Sequence, residues 1–375
     1  MVAGMVVMTI ASVESRQLQM PQDETLRPED AVPLAEEPRV HLVRVEADDG
    51  GSAWGEAWCD DPGEMARALD VLAPVVIGAT PLDRGTLWDR MVDRLTSGTD
   101  PLPAGAAVLS AIDLALWDLA GRMLDLPVYQ MLGGRHRERL EAYASGISRD
   151  EPEVAAKKAR EMVAAGFHAL RIEAGAEPER DLAVIEAVRE AVGNQVLLLV
   201  DAGQGLAGRD EAMDFGGALD RNEVFWYEEP LPHDDWTDYV SLRHALNTPI
   251  AGGKRLRSPG AFLHALMRGA LDVLTPDVRL CGGITGLVKI AELARWFGAR
   301  VSPHNGASQI GLIASTHAAL TLQSCVMTQA PAVRDSAEEG MLEQPPSFDD
   351  GFVVLPDGPG LGIRVREEFG ADQMR

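Results

Sequence analysis

The chain has 375 residues, enough for one large domain or two ordinary ones around a substantial core. Its 58 acidic and 34 basic residues leave a formal charge of −24, which favours solubility and argues against nucleic acid or an anionic membrane as a partner. Cys59, Cys281 and Cys325 are widely spaced and in no metal pattern, so a reduced, cytoplasmic protein is expected.

The opening MVAGMVVMTI is apolar but short, with no basic stretch before it and no small-residue cleavage site. It reads as a first strand, not as a signal peptide or membrane span. Residues 5–18 give one or two strands, and the acidic, proline-bearing residues 21–37 read as a mobile loop. Residues 40–46 alternate apolar and polar, Gly50 and Gly51 turn the chain, and residues 53–58 return as a hairpin strand. Amphipathic helices are expected at 63–73 and 84–95. Residues 105–124 have helical spacing with almost no polar face, which predicts a helix buried between layers. The first third is therefore α+β.

From about residue 140 the rhythm becomes strand, helix, strand, helix. Strand-like runs fall at 140–143, 169–172, 196–200, 224–227, 250–251, 273–274 and 301–302. Amphipathic helices lie between most of them, at 151–165, 180–192, 210–221, 259–267 and 286–297. A repeat of roughly 25 residues describes a (β/α) barrel better than an open sheet. Residues 350–366 look antiparallel again and are expected to return to the first domain.

The ends of these strands carry the chemistry. VLLLVDAGQG at 196–205 is a buried run that closes on Asp201. Taken alone, Asp201 reads as the cap of the following turn. The other strands end alike, however. Arg171 and Glu173 share one face of their strand, and Glu228 and Glu229 follow Tyr227. Lys254 follows two glycines, Asp277 follows Thr275-Pro276, and His304 and Asn305 follow Ser302-Pro303. Six such endings in succession describe a polar cup on an apolar barrel.

The run SAIDLALWDLAGR at 110–122, followed by LPVYQMLGG at 126–134, resembles the mandelate racemase subgroup of the enolase superfamily, the mandelate racemase / muconate lactonizing enzyme family. WGEA at 54–57, VDA at 200–202, YEEP at 227–230, PDV at 276–278, GGITG at 282–286 and SPH at 302–304 continue it in the same order. The resemblance implies an α/β fold: a (β/α)7β TIM-like barrel with an N-terminal α+β capping domain completed by the C-terminal segment. We expect these units at 1–130, 131–340 and 341–375. Loops at 21–37 and 58–62 would then cover the barrel mouth and choose the substrate.

Members of this family remove a proton α to a carboxylate, and Mg²⁺ held by three strand-end carboxylates normally stabilises the enediolate. Asp201 and Glu228 match two of those ligands, but the third position is Lys254. The usual Lys-x-Lys acid/base pair reads Arg171-Ile172-Glu173. Asp277 and His304 match the family's dyad, in which the carboxylate orients the imidazole. An ammonium about 4 Å from a divalent ion repels it by about 8 kcal/mol at an effective dielectric of about 20. The expectation is therefore that Lys254 stands between Asp201 and Glu228 in place of the ion.

Three readings follow. In the first, a metal-independent lyase or isomerase uses His304, tuned by Asp277, on a small hydroxy- or sugar-acid carboxylate. Lys254, Arg171 and Asn305 bind that substrate, Glu173 supplies a carboxylate for Lys254 or Arg171, and dehydration ranks above racemisation. In the second, Mg²⁺ binds weakly at Asp201 and Glu228, with Glu229 or Glu173 as the replacement ligand. In the third, the chain is a silent homologue that binds a small acid. A homo-oligomer is expected throughout. His233 and Thr328 are weaker candidates near the mouth, and His168 is expected at the barrel base. The glycines at 282–283 open a helix that reads as structural.

Overall fold

The computed structural model describes residues 8–17, 40–98, 102–147, 151–232, 236–306, 308–330 and 340–366. Strands β1 (Ile10–Gln17), β2 (Val40–Ala47) and β3 (Ser52–Trp58) form an antiparallel sheet in that order. Side chains alternate along β3, so Ala53, Gly55 and Ala57 share one face and Trp54, Glu56 and Trp58 the other. The small residues let a helix lie directly on the sheet: a Cβ on Gly55 would stand 1.8 Å from the carbonyl oxygen of Ala111. Helices α1 (Pro62–Val76), α2 (Arg84–Thr96), α3 (Gly105–Leu124) and α4 (Val128–Met131) follow. Asp61 caps α1 by accepting from the amides of Gly63 and Glu64. As expected from its missing polar face, α3 is buried along nearly its whole length.

The barrel alternates strictly. It runs β4 (Leu140–Ile147), α5 (Pro152–Ala164), β5 (Ala169–Glu173), α6 (Pro178–Val192), β6 (Leu197–Asp201), α7 (Arg209–Arg221), β7 (Trp226–Glu228) and α8 (Trp236–Ala245). It continues β8 (Ile250–Gly252), α9 (Pro259–Arg268), β9 (Val273–Leu274), α10 (Gly283–Phe297), β10 (Arg300–Val301), α11 (Gln309–Ala319) and β11 (Thr328–Ala330). Neighbouring strands from β4 to β10 pair in parallel, and β11 pairs in parallel with β4. A bridge from Val301 to Cys325 joins β10 to the chain entering β11 and closes the ring. Helix α11 is buried from Ile310 to Ala319, its polar Ser315, Thr316 and His317 included, so it shows no amphipathic period in the sequence.

The hairpin of β12 (Ser347–Asp349) and β13 (Phe352–Val354) pairs antiparallel with β4. Beyond it the chain turns back to α3, where Leu361 donates to Asp118 at 2.8 Å and Arg122 donates to the Ile363 carbonyl at 2.9 Å. The C-terminal segment thus touches both the barrel and the cap. No single helix among the described residues is long and apolar enough to cross a membrane.

Inside the barrel the period-two alternation sorts residues by level. Tyr143, Ala169, Leu199, Trp226, Ala251, Val273 and Met327 form an apolar plug. Two residues further along their strands come Arg171, Asp201, Glu228 and Thr275, which form a polar floor above it.

Candidate active site

Register brings the carboxylates to one level: Glu173 lies opposite Asp201, and Asp201 opposite Glu228. Lys254, just after β8, puts its Nζ 2.6 Å from Oδ2 of Asp201 and 3.8 Å from Oε1 of Glu228. Arg171 donates from Nη1 to the same Asp201 oxygen at 3.0 Å, and its Nη2 lies 3.5 Å from the half-exposed Glu173. Burial alone would raise the Asp201 carboxyl, but the Lys254 ammonium and Arg171 guanidinium hold it well below the usual carboxylate range. Glu228 goes the other way. Its burial and the Asp201 charge push it up to about 7. Both Glu228 oxygens, Arg171 Nε and Thr275 Oγ1 are buried without a hydrogen bond, so this floor has capacity left for a polar ligand.

On the other side of the ring, His304 Nδ1 lies 2.9 Å from Oδ2 of Asp277. A backbone bridge between Asp277 and His304 sets that pairing. The ring of His304 is stacked on Trp58 from the cap, with centroids 6.0 Å apart and planes at 24°. Trp58 therefore reaches the barrel mouth, as expected for its loop. Burial lowers the His304 pKa, against the pull of Asp277, which leaves the imidazole neutral and able to accept a proton. Beyond the dyad, Arg279 clasps Asp277, Glu56 accepts from Arg279 in turn, and Ser308 donates to Glu56. Sequence reasoning gave none of these three a role. The visible signal was a charged residue, Glu56, on a strand face otherwise formed by Trp54 and Trp58.

Two expected site residues are engaged elsewhere. Asn305 is fully buried, its amide spent on Thr328 Oγ1 at 2.7 Å, the Gln329 carbonyl at 3.2 Å and Ser315 Oγ at 2.7 Å, so it is not free to bind substrate. Glu229 accepts from Gln204 Nε2 at 2.5 Å and from the Gly253 amide at 2.8 Å, which ties together the loops after β6 and β8. Its carboxylate is therefore a loop clamp and not a replacement ligand. The start of α10 is filled by Asp113, which accepts from the amide and hydroxyl of Thr285, so the Gly282-Gly283 turn is structural. His168 faces Glu141 at 3.9 Å near the start of β5, away from the mouth. His233 and the 21–37 loop lie outside the described residues.

The donor set does not fit a divalent ion. Among the described residues no three His, Cys, Asp or Glu converge on a point that could hold a metal. Asp201 and Glu228 converge on the Lys254 ammonium, with Arg171 adding a second fixed cation.

Residues 22–133 match the family "Mandelate racemase / muconate lactonizing enzyme, N-terminal domain", and residues 154–369 match "Enolase C-terminal domain-like". The chain is 34% identical to D-galactarolactone cycloisomerase of Agrobacterium fabrum, over 88% of this chain and 90% of that one. It is 33% identical to D-gluconate dehydratase of Thermoproteus tenax, over 87% of this chain and 68% of that one. Among solved structures, a Bordetella bronchiseptica RB50 protein provisionally designated a mandelate racemase, complexed with 2-oxoglutarate/phosphate, superposes with a TM-score of 0.89. The two are 31% identical, and the match covers 97% of each.

Proposed function

The chain belongs to the mandelate racemase / muconate lactonizing enzyme family of the enolase superfamily, and we propose that it removes the α-proton of a hydroxy- or sugar-acid with His304 as the base. Membership makes it a lyase or isomerase, the classes of its dehydratase, cycloisomerase and racemase relatives. The observation that carries the residue assignment is the pairing of His304 with Asp277, on the opposite side of the ring from the Asp201–Lys254–Arg171 cluster.

In this reading Asp277 holds His304 Nδ1, so Nε2 faces the substrate and takes the proton. Lys254, in the position of the family's third metal ligand, stands in for the ion together with Arg171. The two cations hold the substrate carboxylate and balance the charge of the enediolate as it forms. Asp201, held well below the usual carboxylate range by Lys254 and Arg171, is the firmly ionised carboxylate of the pair, while burial and the Asp201 charge push Glu228 up to about 7, which supports this assignment. Dehydration fits one base best. His304 returns the abstracted proton to the departing β-hydroxyl, water leaves, and the remaining enol becomes a 2-keto acid. Sugar-acid dehydratases among the relatives support that choice of reaction.

The test is a panel of hydroxy- and sugar-acids incubated in D₂O and followed by proton NMR. We expect wild-type protein to remove the α-proton signal of at least one acid and His304→Ala to leave it unchanged. Exchange that persists in His304→Ala would move the base elsewhere.

A further inference from the structure

Asp277 is not the only charge that bears on His304. Arg279 holds both Asp277 oxygens, its backbone amide and Nε donating to Oδ1 at 2.8 and 2.9 Å and its Nη2 to Oδ2 at 2.7 Å. His304 shares that Oδ2. The remaining guanidinium nitrogen, Nη1, donates at 3.2 Å to Oε1 of Glu56 on β3 of the cap. The other Glu56 oxygen accepts from Ser308 Oγ. Arg279 is 4% exposed and Glu56 and Asp277 are 0% exposed, so water screens this row weakly. Trp58 completes it, with the Arg279 guanidinium 5.1 Å from its ring.

The charges alternate from cap to base: Glu56, Arg279, Asp277, His304. A carboxylate beside an imidazole favours the imidazolium, and a guanidinium on that carboxylate opposes it. A second carboxylate behind the guanidinium offsets part of that opposition. We propose that Arg279 is a positioning residue for the reaction, and that Glu56, acting through Arg279 and Asp277, sets the proton affinity of His304 from the cap. The proposal rests on the functional reading above only in taking His304 as the base. The other charged groups that bear on His304 are Lys254 after β8 and Arg171 on β5, both cations that oppose its protonation.

The signs of the expected effects are opposite. Neutralising Glu56 leaves Arg279 uncompensated, so His304 becomes harder to protonate. Neutralising Arg279 leaves two carboxylates, so His304 becomes easier to protonate. A brace acting only through shape produces no such opposed pair. Shifts of about one pH unit are expected for charges this close and this buried.

The experiment titrates full-length protein carrying ¹³C at histidine Cε1, with the His304 signal assigned by its loss in His304→Ala. In Glu56→Gln the midpoint should fall by about one unit, and in Arg279→Met it should rise by about one unit. Arg279→Lys keeps the charge and should stay near wild type. Either neutralised variant, if folded, is a test alone: an unmoved midpoint, or a shift opposite to that stated, in Glu56→Gln or Arg279→Met overturns the proposal. The titration needs no substrate. Opposed shifts with α-proton exchange that ignores His304 would therefore defeat the functional reading alone, and a His304-dependent exchange without the shifts would defeat this inference alone.

Discussion

The Lys254 ammonium lies 2.6 Å from Oδ2 of Asp201, an oxygen that also accepts from Arg171 at 3.0 Å. Two cations therefore share one carboxylate oxygen, and the Glu228 carboxylate lies 3.8 Å from the ammonium. A divalent ion bound here would need the oxygens that the ammonium takes. Lys254→Glu removes that ammonium and adds a third carboxylate. The variant should gain Mg²⁺ binding visible by calorimetry at submillimolar concentration. A variant as inert toward Mg²⁺ as the parent would separate Lys254 from the ion's place.

Contact between cap strand and cap helix supports the next expectation. A Cβ on Gly55 would press into the Ala111 backbone, which cannot rotate aside as a side chain would. Gly55→Ala should therefore part β3 from α3 and lower unfolding stability by about 1–3 kcal/mol, measured by urea denaturation. Unchanged stability would contradict the close approach.

A third expectation concerns pH. His317 is buried between the Tyr129 amide, 3.4 Å from Nδ1, and the Leu361 carbonyl, 3.2 Å from Nε2. The neutral tautomer satisfies both. Burial pushes its pKa down to about 4, against about 6.5 in an unfolded chain. Between those values the unfolded chain binds a proton that the folded one refuses. Stability from this group is thus fully present above about pH 6.5 and is lost as pH falls toward 4. Urea unfolding at pH 7.5 and 4.5 should show wild type losing about 2–3 kcal/mol more than His317→Gln. Equal losses would mean that the imidazole titrates normally in the fold.

The scaffold was legible because its signals are local. The α3 helix runs over 105–124 as its spacing predicts, and β9 over 273–274. The cup was legible because strand ends in a parallel barrel share one rim. Asn305 and Glu229 each follow an inward-facing group but lie beyond the regular strand, and Glu229 has a left-handed backbone with φ of 49°, so strand alternation does not say where they point. They serve as a structural amide and a loop clamp. The link between Glu56 and Arg279 joins residues 223 positions apart. Neither has a spacing that announces the other, because the contact exists only once the cap sits on the barrel.

The Lys254 ammonium stands between Asp201 and Glu228, and we propose that it takes the place of a metal ion there. Titration of Mg²⁺ into metal-stripped wild-type protein, read by calorimetry, tests it most directly. The account predicts no binding heat up to millimolar Mg²⁺. Tight, stoichiometric binding would contradict it and return Asp201 and Glu228 to service as metal ligands.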